Sequence, residues 1–370
     1  MKKMKSTFKC FFAMLVMAMA FVVMGTTAQA AEETYSFVTC NDLSKNAGSK
    51  TVYYTVPAYS SIVIPISVPG KGGVYLANAG EGSSDLYGKI YTNAACTIAN
   101  SDYYIGDIDD ADYDTISFDK GGTYYLKVEN SNRTTALKVG INGFFVSGTD
   151  RTVKSKTTTA VFQNDYNTWV LHKFKASKTG YIQVYTEEAN GYSVNVKLLS
   201  SGKKALSDDM YTSSKYNTNS YFAVQKGKTY YIATKATSES MYNLNYKLTA
   251  VKEKSGSKKS KAVTIKKNKT VKGVQIANNK KSGNDWYKIK LTKRQKITFT
   301  ISGKSTGNID LKIKVIPASK NVRIWGDTMY IPMASTKKYS TNGKFPAGTY
   351  YLQVSKADSK SSGYYSIKWK

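Results

Sequence analysis

The sequence predicts an all-β protein: three tandem antiparallel jelly-roll-like β-sandwich modules behind an N-terminal signal peptide. Three observations carry that expectation. The segment Lys120-Gly-Gly-Thr-Tyr-Tyr-Leu-Lys-Val128 recurs as Lys226-Gly-Lys-Thr-Tyr-Tyr-Ile-Ala-Thr234 and Pro346-Ala-Gly-Thr-Tyr-Tyr-Leu-Gln-Val354. Apolar residues alternate at period two between turn signals spaced by about ten residues, the pattern of short antiparallel strands. After residue 30 no stretch keeps a helical apolar period for three turns.

Residues 1–30 read as a secretory signal. Lys2, Lys3, Lys5 and Lys9 precede an apolar run from Phe11 to Val23, and Ala28-Gln29-Ala30 is a small-residue cleavage site. That run is shorter than the roughly 20 apolar residues a spanning helix needs. The expectation is therefore an exported chain with no membrane span. Modules are expected over 31–150, 151–251 and 263–370, and the charged low-complexity segment 252–262 reads as a mobile linker.

Alternation assigns faces within each repeat. Tyr124, Leu126 and Val128 share one side of a strand, as do Tyr230 with Ile232, and Tyr350 with Leu352 and Val354. Tyr125, Tyr231 and Tyr351 then fall on the wetter side. Each module is expected to open with a strand pair: Tyr54-Val56-Ala58 then Ile64, His172-Phe174-Ala176 then Ile182, and Tyr287-Ile289-Leu291 then Ile297. The segments Leu137–Ile141, Tyr242–Leu248 and Tyr365–Trp369 alternate as closing strands.

In the third module Asp285-Trp-Tyr-Lys-Ile-Lys-Leu291, Ile309-Asp-Leu-Lys-Ile313, Ala347-Gly-Thr-Tyr-Tyr-Leu352 and Gly363-Tyr-Tyr-Ser-Ile367 together resemble the bacterial pre-peptidase C-terminal domain. The second module matches less closely, and the first through its Gly-Gly-Thr-Tyr-Tyr strand and opening pair. The resemblance implies a compact β-sandwich appended to secreted bacterial hydrolases, notably peptidases. Here three copies fill the chain and no catalytic partner accompanies them, so the appended role does not transfer directly.

Charge separates along the chain. Residues 31–150 carry 8 basic and 14 acidic side chains, 151–252 carry 15 and 6, and 253–370 carry 27 and 5. A basic end of this kind is either a solvated, solubilising surface or a seat for a polyanion such as anionic cell-wall polymer or glycan; host or matrix protein is a further class of partner. Only four of the 54 basic residues are Arg, which favours diffuse, salt-sensitive attraction over bidentate readout. With export, this argues against a dedicated nucleic-acid partner. Lys288, Lys290 and Tyr351, with Tyr125 and Tyr231 in the other repeats, are the candidate ligand-binding residues, tyrosines offering flat faces on which sugar rings stack.

Catalytic chemistry finds little support. The single His172 excludes any site needing two histidines, and its inward position makes it a hydrogen-bonded core residue. No nucleophile elbow, P-loop or dinucleotide fingerprint follows a strand. The segment from Asp107 to Asp114 is the densest acidic cluster; Asp109, Asp110, Asp112 and Asp114 make either a calcium site or a solvated acidic loop. No other cofactor is suggested. Cys40 and Cys96 remain after signal removal and are expected to form one disulfide, closing a 57-residue loop worth about 4 kcal/mol. The function expected is non-enzymatic surface binding. The alternatives are an accessory of secreted hydrolases acting in trans, or a hydrolase with an unrecognised site in the first module.

Overall fold

The computed structural model describes residues 33–45, 50–80, 85–103, 106–107, 112–165, 167–188, 193–278, 280, 283–324 and 326–370. The expected signal segment lies outside them. Within them every module is two sheets closed over one apolar core, and no α-helix occurs. Among the described residues no helix is long and apolar enough to cross a membrane.

The first module holds β1 (Tyr35–Ser36), β2 (Val38–Thr39), β3 (Val52–Val56), β4 (Ser60–Val68), β5 (Gly72–Gly80), β6 (Leu86–Tyr91), β7 (Ala99–Tyr103), β8 (Gly106–Asp107), β9 (Asp112–Phe118), β10 (Gly122–Asn130) and β11 (Leu137–Ser147). The second holds β12 (Arg151–Thr152), β13 (Thr159–Gln163), β14 (Val170–Lys175), β15 (Gly180–Glu188), β16 (Val194–Ser200), β17 (Met210–Thr212), β18 (Ser220–Val224), β19 (Thr229–Ala236) and β20 (Ser240–Ala250). The third holds β21 (Val263–Thr264), β22 (Thr270–Gln275), β23 (Asp285–Leu291), β24 (Thr298–Ser305), β25 (Leu311–Pro317), β26 (Thr328–Tyr330), β27 (Thr336–Ser340), β28 (Gly348–Lys356) and β29 (Gly363–Trp369).

The strand order is that of a jelly roll. In the second module β12-β14-β19-β16-β17 faces β13-β20-β15-β18, and in the third β21-β23-β28-β25-β26 faces β22-β29-β24-β27. The first module repeats the scheme as β1-β4-β10-β6-β7 over β2-β11-β5-β8, with β3 also on β11 and β9 on β5. Pairing is not purely antiparallel. The entering strands β1, β12 and β21 run parallel to β4, β14 and β23. Each covers an edge that would otherwise expose unpaired backbone groups.

Side-chain alternation places the cores. Tyr124, Leu126, Val128, Tyr230, Ile232, Tyr350, Leu352 and Val354 are all buried. The inward tyrosines also tie down the turns before them: Tyr124 and Tyr350 donate to the Lys120 and Pro346 carbonyls at 3.0 and 2.9 Å. Tyr230 accepts from the Gln225 amide at 3.1 Å.

The opening pair of the first module differs from expectation. Tyr124 pairs with Ile66, as Tyr230 does with Phe174 and Tyr350 with Ile289. The strand equivalent to β14 and β23 is therefore β4, not β3, and the residue matching His172 and Tyr287 is Ile64 rather than Tyr54. The eight-residue spacing survives in the pair Ile66 and Val74, both in the core. Two adjacent alternating segments satisfied the same spacing, and only cross-strand register separates them.

The segment 252–262, expected as a mobile linker, docks on the third module. Gly256 exchanges backbone hydrogen bonds with Trp286 at 3.0 and 2.9 Å, and the Ser255 hydroxyl donates to Asp285 at 3.1 Å. The Trp286 backbone groups at the start of β23 are satisfied there. A side chain at position 256 would stand 2.2 Å from the Lys261 carbonyl oxygen, which glycine avoids.

The modules join through apolar contacts. Cys40, Leu43, Phe144, Val146, Ala160, Phe162 and Met241 form one buried cluster between the first and second, where the Ala160 amide donates to the Asn41 carbonyl at 2.8 Å. Between the second and third, Tyr181 lies 5.2 Å from Tyr364, and the Ala277 amide donates to the Ala223 carbonyl at 3.0 Å. Both joints use the sheets that contain β20 and its counterparts β11 and β29.

Candidate functional site

Because docking consumes those sheets, the Gly-Thr-Tyr-Tyr sheet of each module turns its outer side away from the joints. On the third module this side carries lysine and aromatic residues in registered rows. Lys288 pairs with Tyr351, and Tyr351 with Ile316; Lys290 pairs with Thr349. One rung along, Trp286 pairs with Gln353, Gln353 with Lys314, and Lys314 with Thr328. Ser355 pairs with Lys312, and Lys312 with Tyr330. The residues between them on the same strands (Tyr287, Ile289, Leu352, Ile313) are buried, so the pleat itself sends this set outward. Lys259 of the docked segment adds its ammonium 4.8 Å above the Tyr351 ring.

A cavity of about 470 Å³ opens on this face, lined by Asn284, Lys312, Lys314, Gln353, Ser355 and Lys356 among others. Lys314 is held at 3.4 Å from Asp327. Lys356 is only 1% exposed, and its ammonium donates to the Ile276 carbonyl at 3.1 Å and to Asn278 Oδ1 at 3.2 Å. Burial lowers its pKa to about 8, partly opposed by Asp358.

Lys288, Lys290 and Tyr351 thus share one face. Tyr125 and Tyr231 occupy the same position on the other two modules and belong to separate surfaces: Tyr125 stands between Pro65 and Tyr91, and Tyr231 between Lys173 and Leu199. Lys203 lies 5.8 Å over the Tyr231 ring. Alternation puts Gln353 on this face with Tyr351, whereas Trp286, Lys312 and Lys314 escaped the sequence reading, although Trp286 has the same strand parity as Lys288. Lys356 carried no signal at all, because a lysine ending a strand reads as solvated.

His172 is fully buried, with Nε2 2.9 Å from Thr234 Oγ1. Burial first, and Arg151 second, lower its pKa to about 3, so it stays neutral as a core residue. The disulfide expectation is corrected: Cys40 and Cys96 are both free thiols. Cys40 follows β2 and is buried in the joint with the second module, whereas Cys96 sits in the turn between β6 and β7 on the opposite sheet. Cys40 is enclosed by the joint's apolar side chains, and the Cys96 thiol is instead 3.7 Å from the Ala94 carbonyl in its own turn.

Of the acidic cluster, Asp109 and Asp110 lie outside the described residues. Asp112 and Asp114 are on β9, paired with Asn78 and Leu76. Among the described residues no group of three or more His, Cys, Asp or Glu side chains is arranged to hold a metal.

No family model matches this chain. No curated protein matches it either. Among solved structures it is similar to the PBSX exported protein XepA, at 9% identity over 54% of this chain and 86% of that one, with a TM-score of 0.20. It is also similar to the tandem CBM51 modules of the family 98 glycoside hydrolase Sp3GH98 from Streptococcus pneumoniae SP3-BS71, at 8% identity over 58% and 85%, TM-score 0.17. A third is a fucolectin from striped bass (Morone saxatilis) serum, at 11% identity over 54% and 86%, TM-score 0.18. Likeness at these levels carries no argument about function.

Proposed function

We propose that this chain is a secreted, non-enzymatic binding protein that holds an anionic cell-wall polymer or glycan on the third module. The observation that carries this reading is the registered pair Lys288 and Tyr351, on one outward face with Lys290, Lys312, Lys314 and Trp286. Lysine ammoniums supply long-range, screenable attraction, and the aromatic rings supply flat apolar contact for sugar units. Arginine is almost absent, so attraction is spread over the face instead of being directed at single phosphates. With 27 basic against 5 acidic residues, 253–370 hold most of the chain's net positive charge.

The test is retention of the mature chain on purified bacterial cell walls and on immobilised anionic glycans across a salt series. Retention is expected to fall steeply with salt, and Lys288→Ser with Lys290→Ser to weaken it further at low salt. Salt-insensitive retention, or none, would overturn the reading, as would turnover in a broad hydrolase screen.

A further inference from the structure

The repeat supplies an internal comparison for the cavity on the third module. Val170 pairs with Thr234 and Asp285 with Val354, so the residues just before these strands, Trp169 and Asn284, occupy equivalent places. Lys197 pairs with Ala233 and Lys314 with Gln353, which makes these two lysines equivalent as well. In the second module the Trp169 ring lies beneath Lys197, whose ammonium is 3.6 Å from the ring centroid, with Lys235 at 5.2 Å. In the third module Asn284 replaces the tryptophan, Ser355 replaces Lys235, and the cavity of about 470 Å³ adjoins Lys314.

One module therefore displays a planar ring at the position that the other leaves open. Trp169 is held there by a stitched turn: Gln163 donates to the Asp165 and Thr168 carbonyls at 2.9 and 2.5 Å, and Asp165 accepts from the Asn167 amide at 2.7 Å. The indole indicates the size and flatness of what fits. The lining indicates its chemistry, and it differs from an aromatic slot: Asn284, Gln353 and Ser355 offer amide and hydroxyl groups, and Lys312 and Lys314 offer ammoniums. Lys356 borders the cavity at the end of β28, but its buried ammonium is turned inward and donates to the Ile276 carbonyl and Asn278 Oδ1.

We propose that this cavity binds one acidic pyranose unit, its ring in the place the indole takes in the second module and its acid group against Lys312 and Lys314. The proposal rests on the anionic-polymer reading and names the unit recognised. A pyranose ring suits a cavity at the small end of ligand-site volumes.

The full mature chain is titrated with D-glucuronate, D-glucose, benzoate and inorganic phosphate, followed by calorimetry and saturation-transfer NMR. Glucuronate is expected to bind at least about tenfold more tightly than the other three. Asn284→Trp, which places the ring of the second module into the cavity, is expected to weaken glucuronate about tenfold or more, and Lys314→Ser to do the same. Glucuronate binding unchanged in both variants would overturn the proposal. So would benzoate or phosphate binding as tightly as glucuronate. Wall retention by the unaltered chain without glucuronate binding sinks the cavity assignment alone; glucuronate binding without wall retention sinks the polymer reading and leaves the cavity standing.

Discussion

Gln163 and Gln275 occupy the same rung of the second and third modules, and each is the buried hub of a polar cluster inside an apolar core. Gln163 ends β13 opposite Ser240, and Gln275 ends β22 opposite Gly363. Gln163 accepts from the Ala236 amide at 2.8 Å and the Tyr242 hydroxyl at 3.5 Å. Gln275 instead donates to Asp285 Oδ2 at 2.5 Å, where Tyr365 donates at 2.6 Å. The first module has Val56 at this rung, opposite Leu137 in its hydrophobic cluster. The two clusters respond to pH in opposite directions.

Asp285 makes the third module weaker in alkali. Burial, then the neighbouring Glu253, raise its folded pKa to about 7 from the ordinary 3.8. The folded state thus holds a proton that the unfolded chain releases near pH 4. This contribution is fully present below about pH 4 and is lost as pH rises through 7, with a cost on the order of a few kcal/mol. Thermal unfolding of the third module should fall from pH 5 to 8 and flatten in Asp285→Asn. An unchanged slope in that variant would assign the effect elsewhere.

His172 makes the second module weaker in acid. Its folded pKa is lowered to about 3, so stability is present above the unfolded value near 6.5 and is lost as pH drops from there toward 3. His172→Leu leaves Thr234 and Tyr242 bonded to each other at 2.7 Å. Its melting temperature at pH 7 is expected to drop, and the further loss between pH 6.5 and 4 to be smaller than in the native chain. Melting curves at both pH values check this.

The thiols should behave independently. Burial raises the pKa of both, more completely enclosing Cys40 than Cys96. Alkylation of the folded chain followed by mass spectrometry is expected to label Cys96 and to reach Cys40 only after unfolding. Reductant should leave the melting temperature unchanged; a drop would reveal a bridge.

Phe162 should control coupling of the first two modules. Its ring lies over β5 so closely that a side chain at Gly73 would stand 2.4 Å from it. Phe162→Ala is expected to cost about 3–5 kcal/mol and to separate the two modules into distinct calorimetric transitions. Gly73→Ala should loosen the same joint from the other side. A single unchanged transition in both variants would show that Phe162 is not the coupling residue.

Strand parity was legible throughout. Tyr124 against Tyr125, Tyr230 against Tyr231 and Tyr350 against Tyr351 are separated into core and surface by the pleat, a local property of consecutive residues. His172 was readable as core on the same ground. The face bearing Lys288 and Tyr351 was visible in part, but Lys312 and Lys314 joined it through β25, whose partner strand lies some forty residues later. Spacing misassigned Tyr54 because β3 and β4 both alternate, and nothing local states which one meets β10.

What the sequence alone determined is the period-two alternation, and with it an all-β chain of repeated sandwiches with a basic third module. What only the tertiary structure decided is registration and enclosure: Cys40 and Cys96 on opposite layers, segment 252–262 pinned at Trp286, Lys356 buried, and a cavity beside Lys314 where Lys197 covers an indole. The reason is physical. Which side of a strand a residue faces follows from its immediate neighbours in the chain, whereas rung, depth and cavity follow from backbone pairing and packing between residues far apart in it.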